Sequence, residues 1–557
     1  MNYTLIKCVN NICFNFIFLI IMNSISPKIL TDLEIHNKVI PHIDKTITIY
    51  GKAKFRDLFN IMYNNEQNLL RRRQIIQSIL KKQKNVKKIT IQLNKIKKYE
   101  DTVRWLFGTI GKEYKDLYFK REYFNTQDLL STKNFLKTYS PSFIIIIYLL
   151  IFVVLKYYGL SIDIKSYIMG IYESYKMFII SILYLFMENI NLISLLTNMF
   201  ATFYVLYQLY TIYNSFDSSV VHYYKCSDFN KHINKIRNLI NCVKEIYRLD
   251  KFFTIEKKLI SDDIHEMDEL YNDSKINKIG YNLLLKRDSQ THESKFNKML
   301  QYIGLVDAFI SISKLVMYHG YTFPLYDFTK ESGPYINATG LWSPYINYSE
   351  QVKNNCELGS PNTIILTGPN TSGKSTYIRN VMLSILLSQT IGVTCCDYLQ
   401  YTPFTHLFTY LDIPNVSRDK ESLFEAELLR CMEYCTILEQ LNENEYTFTI
   451  LDELFTATNP KEGIASSFSV CEYLGKFKNS LNILTTHFME LTKLGYDQPK
   501  NFKNMKFTII ENPDGSFLRP YTLETGRSDQ HIAIKLLKNK GYNNYIVDRA
   551  IEKLKEL

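Results

Sequence analysis

The run ILTGPNTSGKSTYIRN at residues 365–380 constrains this chain more than any other stretch, because it sets a glycine-rich loop between an apolar strand and an amphipathic helix. That succession is the strand-loop-helix unit of an α/β sheet, and its spacing matches G-x-x-x-x-G-K-[ST]. Gly368 and Gly373 let backbone N–H groups converge on phosphate oxygens, and the helix N-terminus adds partial positive charge. Pro369, Asn370, Thr371, Ser372 and Thr376 complete the loop. Lys374 has the reach for β and γ phosphates, and Ser375 has the hydroxyl that ligates Mg2+. The implied ligand is a nucleoside triphosphate. A glycine-rich turn that merely ends a strand is the plainer reading, and the residues downstream weigh against it.

Those residues begin with YTFTILDELF at 446–455, an apolar strand that ends in two carboxylates. Asp452 stands where a magnesium-organising acid is needed, and Glu453 where a second carboxylate orients or deprotonates an attacking water. Two acids at a buried strand end are costly unless a cation or hydrogen bonds compensate them. A further apolar strand lies in LNILTTHFMEL at 481–491, with His487 just past it. Alone, that histidine reads as a loop residue. One strand-helix unit after the acid strand, it becomes a candidate γ-phosphate sensor.

From about residue 296 onward the chain resembles the C-terminal half of the MutS family of DNA mismatch-repair ATPases, relatives of the ABC ATPases. TGPNTSGKST resembles the family's TGPN-x-x-GKST loop, LDELFTATNPKEG its LDE strand and following loop, and TTHFMEL its A-T-H-[FY]-x-E-L switch. FTYLDIPNVSRDKESLFEAEL falls on the segment ending in the family signature, which makes Ser422 the signature serine, with Phe424 and Glu427 beside it. The resemblance implies ATP and Mg2+ as cofactors, with Lys374, Glu453 and His487 catalytic and Ser375 and Asp452 on the metal. It also implies a homodimer or heterodimer through the ATPase domain, with Ser422 of one subunit facing ATP held by another, and DNA as partner. The chain departs from the pattern where Lys420 stands for a glycine and where Phe455, Thr456 and Ala457 replace Gly-Arg-Gly. A bulky residue at a position built for glycine obstructs close backbone approach. Because Lys374, Asp452 and Glu453 are retained, the expectation is an active ATPase.

Upstream, residues 296–324 resemble the helix that joins lever to ATPase domain, and GLWSPYI at 340–346 a family G-x-x-H-P segment with Ser343 at the histidine position. Residues 69–107 resemble the first part of the lever. The family's mismatch-reading domain is not recognisable ahead of them. The expected organisation is an N-terminal segment over 1–45, lever-like halves over 46–140 and 217–325, an ATPase domain over 326–500, and a β-meander with a helical dimerisation unit over 501–557. The fold class is thus an α/β P-loop NTPase domain, a mostly parallel sheet with flanking helices, preceded by a mainly α-helical region with a hydrophobic insertion.

That insertion does not look like a repair protein. Residues 142–155 carry no charge, and residues 189–216 form a 28-residue uncharged run, longer than the roughly 20 residues that cross a bilayer. MFIISILYLFM at 177–187 lies between them. A helix apolar all round is buried in a core or in lipid, so 141–216 reads as a transmembrane hairpin or as buried helices of an all-α clamp. Lys133, Lys137, Lys225 and Lys231 flank its outer ends, which places both in the cytosol by the positive-inside tendency. The apolar run at 14–22 is interrupted by Asn15 and reads as a packing or anchoring segment. The expected location is intracellular, with a cytosol-facing ATPase domain and a membrane anchor through 142–216.

Charge and cysteine usage narrow the partners. The net charge of +11 is uneven, for residues 70–98 hold eleven Lys and Arg and no acid. Such a stretch is either a solvated lever face or a surface for phosphates in DNA or lipid. Ten cysteines without C-x-x-C pairs argue against zinc modules and a secreted disulfide scaffold, and Cys395, Cys396, Cys431 and Cys435 read as buried small residues. Two functions follow: a DNA-associated MutS-type ATPase in mismatch repair, or a membrane-anchored ATPase acting on a non-mismatch substrate.

Overall fold

The structure is a computed structural model that describes residues 24–160, 163–184, 192–329, 333–411, 413, 423–513, 516–530 and 532–556. The chain forms two compact units: one takes the chain through Thr90 with Leu249–Thr254 and Gln301–Leu557, the other Ile91–Arg248 and Ile255–Leu300.

The first unit opens with α1 (Pro27–Asp32), α2 (Ile49–Asp57) and α3 (Glu66–Lys81), each started by a side-chain cap. Ser26 accepts from Lys28 N–H ahead of Pro27, Thr48 from Gly51 N–H, and Asn65 from Asn68 N–H, so the first free amides of each helix are satisfied. Asp307 is fully buried and accepts from the Ile47 and Thr48 amides and the Thr48 hydroxyl, which anchors the start of α2.

The helical unit follows. It takes in the end of α4 (Gln83–Lys97) from Ile91 on, then α5 (Glu100–Phe107), α6 (Gln127–Tyr157), α7 (Ile164–Tyr184), α8 (Leu192–Leu249), α9 (Thr254–Asn272) and α10 (Ile279–Arg287). Trp105 is its hub, edge-on to Phe229 at 5.2 Å and stacked on His232 at 4.6 Å. Lys286 donates to the Leu106 and Gly108 carbonyls and so closes the end of α5, where unpaired C=O groups favour a cation. Among the described residues, the sequence-predicted apolar insertion over 141–216 comprises α6, α7 and the first half of α8. Gly159 at φ 85° lies in the break between α6 and α7. The segment at 14–22 lies outside the described residues.

Through α11 (Glu293–Tyr318) the chain returns to the first unit. The run Ile279–Tyr318 is long and apolar enough to cross a bilayer, yet 78% of its most apolar window is buried, as in a core helix. Two sheets follow. The smaller contains β1 (Leu325–Tyr326), β2 (Ile336–Leu341), β3 (Asn354–Leu358) and β5 (Tyr398–Tyr401) in the order β1-β5-β2-β3. The larger contains β4 (Thr363–Thr367), β6 (His406–Tyr410), β7 (Thr447–Asp452), β8 (Ser480–Thr485), β9 (Phe502–Phe507) and β12 (Leu523–Thr525) in the order β12-β9-β4-β8-β7-β6. All its pairings are parallel except β12 with β9. β4 and β8 are buried at every residue; β4 carries Ile364–Leu366 between two threonines, while in β8 the buried Ser480 and Asn482 are hydrogen-bonded to each other and Asn482 also to the Thr363 hydroxyl. Helices α12 (Lys374–Thr390), α13 (Leu423–Glu439) and α14 (Pro460–Leu474) flank this sheet, and α13 and α14 pack Tyr434, Cys471 and Leu474 into a core with Leu451, Leu484 and Phe502. Edge strand β6 is covered by α1, where Asp32 accepts from the Thr409 hydroxyl at 2.6 Å and from Arg430 at 2.9 Å. The chain closes with the hairpin β10 (Ile510–Glu511) and β11 (Phe517–Leu518), then α15 (Ala533–Asn539) and α16 (Asn544–Glu556), separated at Gly541.

Candidate nucleotide site

Strand β4 delivers the phosphate loop and α12 leaves it, in the order read from the sequence. Gly373 takes φ 103°, a conformation that side-chain-bearing residues avoid, and starts α12 at Lys374. Lys374 is buried and folded back on the loop, donating to Gly368 O at 2.9 Å and Pro369 O at 3.4 Å. Burial lowers its pKa from the ordinary lysine value, partly offset by the charges of Glu453 and Asp452.

The parallel pairings β4-β8 and β8-β7 bring the two acids and the histidine to the same sheet end as the loop. Asp452 sits opposite Thr485, whose hydroxyl donates to its carboxylate. Glu453 follows at φ 55°, and its amide donates to Thr485 O. This left-handed turn aims the carboxylate at His487, with Oε1 2.9 Å from Nε2. The same Nε2 lies 3.4 Å from Lys374 Nζ. The hydrogen bond from His487 holds the Glu453 carboxyl below the usual glutamate range against the opposing effect of burial, and the charges of His487 and Lys374 add to it. Lys374, Glu453 and His487 therefore meet at one ring nitrogen, which can bond to either partner but not to both at once.

A cleft of about 540 Å³ opens over the loop, lined by Asn370, Thr371, Ser372, Gly373, Lys374, Ser375, Thr376 and Glu453 among others, a volume within the range of small-molecule sites. Ser343, Gln351, Ser372 and Asn380 are among the residues lining it, and Ser343 Oγ, Gln351 Oε1, Ser372 Oγ and Asn380 Oδ1 are buried without a hydrogen-bond partner. Buried groups are normally paired, so four orphans on residues that line one cleft fit a polar ligand. Sequence reasoning missed Gln351, Val352, Asn354, Asn380 and Tyr521. Tyr521 takes φ 54°, its ring lies within 3.1 Å of where a Gly373 Cβ would stand, and its carbonyl accepts from the Asn354 side chain at 2.8 Å. Arg519, near it, donates to the Thr371 hydroxyl at 3.2 Å.

Ser422 and Lys420 lie outside the described residues. The described residues resume at Leu423. Glu427 on α13 is buried, and burial raises its pKa while the Ala457 amide bonds to its carboxylate. Phe455, at φ 53°, turns inward beside Phe424, with ring centroids 6.1 Å apart, and is 3% exposed. Its bulk is thus absorbed by the core, while Thr456 and Ala457 face solvent. Of the eleven basic residues at 70–98, Arg72 is buried against the Tyr63 ring and Arg73 bonds to Pro324 O, whereas Lys81, Lys82, Lys84, Lys87, Lys88, Lys95, Lys97 and Lys98 are exposed. Among the described residues no cluster of metal-binding side chains forms, and the eight described cysteines are free.

Residues 364–557 match the family model for MutS domain V. The chain is similar to the DNA mismatch repair protein MutS of Staphylococcus epidermidis, 25% identical over 321 residues, which are 56% of this chain and 36% of that protein. It is similar to the DNA mismatch repair protein MutS of Persephonella marina, 26% identical over 337 residues, 58% of this chain and 37% of that protein. The protein of the same name from Synechococcus elongatus is 25% identical over 331 residues, 58% of this chain and 37% of its own length. The chain thus spans little more than a third of the length of these curated relatives.

Proposed function

We propose, for a chain that belongs to the MutS family through its domain V, an Mg2+-dependent ATPase whose nucleotide state drives movements of its helical region. The convergence of Lys374, Glu453 and His487 beside four orphaned polar atoms is the observation that carries this reading. The triphosphate would be held by the amides of residues 368–376 and by Lys374, and Mg2+ by Ser375 and Asp452. When bound, the metal supplies charge neutralisation at the β and γ phosphates. Glu453, ionised and aimed by His487, is the group that orients and deprotonates water. His487 Nε2 serves one neighbour at a time, as an N–H donor to Glu453 or as a lone-pair acceptor from Lys374. The test is ATP hydrolysis by the full chain with Mg2+ and with excess EDTA. Metal-independent turnover, or none at all, removes the assignment.

The family resemblance extends the reading to DNA, through a dimer that completes each site with Ser422 of the other subunit. The exposed lysines from Lys81 to Lys98 supply phosphate attraction for it. A second reading is favoured by the exposed apolar side chains of α6 and α8, among them Ile147, Leu150, Phe203 and Leu206. Soluble surfaces rarely carry so large a contiguous apolar area, and a membrane anchor accounts for it. Pelleting of the full chain with membranes after carbonate extraction is the expected result, and release into the supernatant would remove this second reading.

A further inference from the structure

The apolar arm has borders at two levels. At its root α6 and α8 are pinned together by polar contacts: Ser140 Oγ is 3.0 Å from Ser219 Oγ, which also donates to Lys137 O at 3.1 Å. Just beneath, Asp116 accepts from Lys137 at 3.3 Å and Lys225 at 3.2 Å, and buried His222 pairs with Asn134 at 2.9 Å. Tyr139, Tyr223 and Tyr224 are exposed at this level. Beyond it charge disappears, over residues 138–155 of α6 and 192–216 of α8. Charge returns at Lys156, beside Tyr157 and Tyr158, which are 86% and 78% exposed. From Tyr139 to Tyr157 the helix rises about 27 Å at 1.5 Å per residue, close to the roughly 30 Å of bilayer hydrocarbon. The same rise along α8 from Val221 ends near Phe203, and the stretch between holds Asp217 as its sole charge, near the root.

The exposure also has a shape. On α6, Ile146, Ile147, Leu149, Leu150, Ile151, Val153 and Val154 are all exposed. At about 100° per residue these cover an arc of roughly 200°. A protein partner docking from one side leaves much of such an arc wet, whereas lipid covers it all. Tyrosines with lysines at each end of an uncharged band are the pattern of a membrane boundary. At the upper level α7 starts against α6, with the Tyr167 and Phe152 rings 5.1 Å apart, and farther along it carries the exposed pair of Glu173 and Lys176.

Resting on the membrane reading above, we propose that α6 and the first half of α8 cross a lipid bilayer as a two-helix hairpin. Its hydrocarbon band runs from the level of Ser140 and Ser219 to the level of Lys156, and both roots leave on the side of the Asp116 cluster. The roots carry Lys133, Lys137, Lys225 and Lys231, of which Lys137 and Lys225 are paired with Asp116 at this border.

The experiment uses the full chain reconstituted into vesicles of phosphatidylcholine and phosphatidylglycerol, with lipids brominated at shallow or deep acyl positions. The chain holds two tryptophans, so an added one is readable. Ile147→Trp, Phe203→Trp, Tyr139→Trp and Tyr157→Trp are each at exposed positions that leave packing intact, and a thermal melt checks each fold. The expected result is at least twofold stronger quenching of Ile147→Trp and Phe203→Trp by deep than by shallow bromines, with the reverse for the two tyrosine sites. If the chain floats with vesicles but all four sites are quenched best by shallow bromines, the arm lies along the surface and the crossing is overturned while anchoring stands. If the chain does not float with vesicles, both fail.

Discussion

His487 Nε2 stands between Glu453 Oε1 at 2.9 Å and Lys374 Nζ at 3.4 Å, so one ring nitrogen links the candidate base to the candidate phosphate cation. Lys374 meanwhile spends its protons on the Gly368 and Pro369 carbonyls of its own loop. An arriving γ phosphate would compete for that ammonium with a full negative charge, which is a better acceptor than a neutral carbonyl. Released from the lysine, His487 is free to hold Glu453 by donation.

Removing either end of this group separates binding from chemistry. Lys374→Ala deletes the side-chain cation at the phosphates and is expected to abolish ATP binding or turnover. Glu453→Gln keeps the shape and loses the base, so it should bind ATP and hydrolyse it roughly a hundredfold more slowly or worse. Nucleotide titration and steady-state turnover of both variants check this. A Glu453→Gln chain unable to bind ATP would mean that the carboxylate is structural.

The pH dependence follows from the directions of two shifts. Glu453 titrates below the ordinary 4.5 of a glutamate, so it stays ionised at neutral pH and its acid limb falls below 4.5. The hydrogen bond that its carboxylate accepts from His487 contributes stability above that value and is lost as pH falls through the folded-state pKa. Lys374 titrates below the ordinary 10.5, so the basic limb arrives earlier than for a free lysine. A rate profile should be level near pH 7 as far as these two groups decide it. An acid limb centred near pH 6.5 that vanishes in Glu453→Gln would contradict the depressed carboxyl.

The loop, the acid strand and the histidine strand were legible because their chemistry is local: glycines at fixed spacing, and strands buried on both faces that read as apolar runs. The mostly parallel sheet followed from the same strand-helix alternation. What the sequence concealed is brought in from a distance. Tyr521 reaches Gly373 because β12 pairs antiparallel with β9 at the sheet edge, a register that no local pattern encodes. Asp32 reaches Arg430 across nearly four hundred residues. Phe455 looked like an obstruction at a glycine position, yet a positive φ turns it into the core beside Phe424. The uncharged runs announced an apolar insertion, but no local pattern marked His222 at its root, which is buried and paired with Asn134.

Glu427 on α13, the helix that follows the signature segment, accepts from the Ala457 amide in the loop after Glu453, and in the proposed dimer this contact would join the segment of Ser422 to the chemistry. Hydrolysis should therefore require two subunits, and specific activity should rise with protein concentration. Lys374→Ala and Ser422→Arg chains, each inactive alone, should recover activity when mixed, since one site of the mixed dimer carries neither change. Concentration-independent activity from a monomer defined by light scattering would sink the composite site.

DNA binding by the exposed lysines of α3 and α4 should be indifferent to base pairing. Ammonium groups on flexible stems attract phosphates, and phosphate contacts position a duplex without reading it. Of the three arginines in the same run, Arg72 and Arg73 are already engaged with Tyr63 and with Pro324 O. Affinity should then fall steeply between about 50 and 200 mM salt, as release of condensed counterions requires. The decisive measurement is competition between matched and mismatched duplexes of one length, on a chain with residues 140–216 replaced by a short linker so that detergent is absent. Equal competition is expected. A tenfold preference for the mismatch, about 1.4 kcal/mol, would mean that another surface of this chain reads lesions and that the lysines only hold the duplex in place.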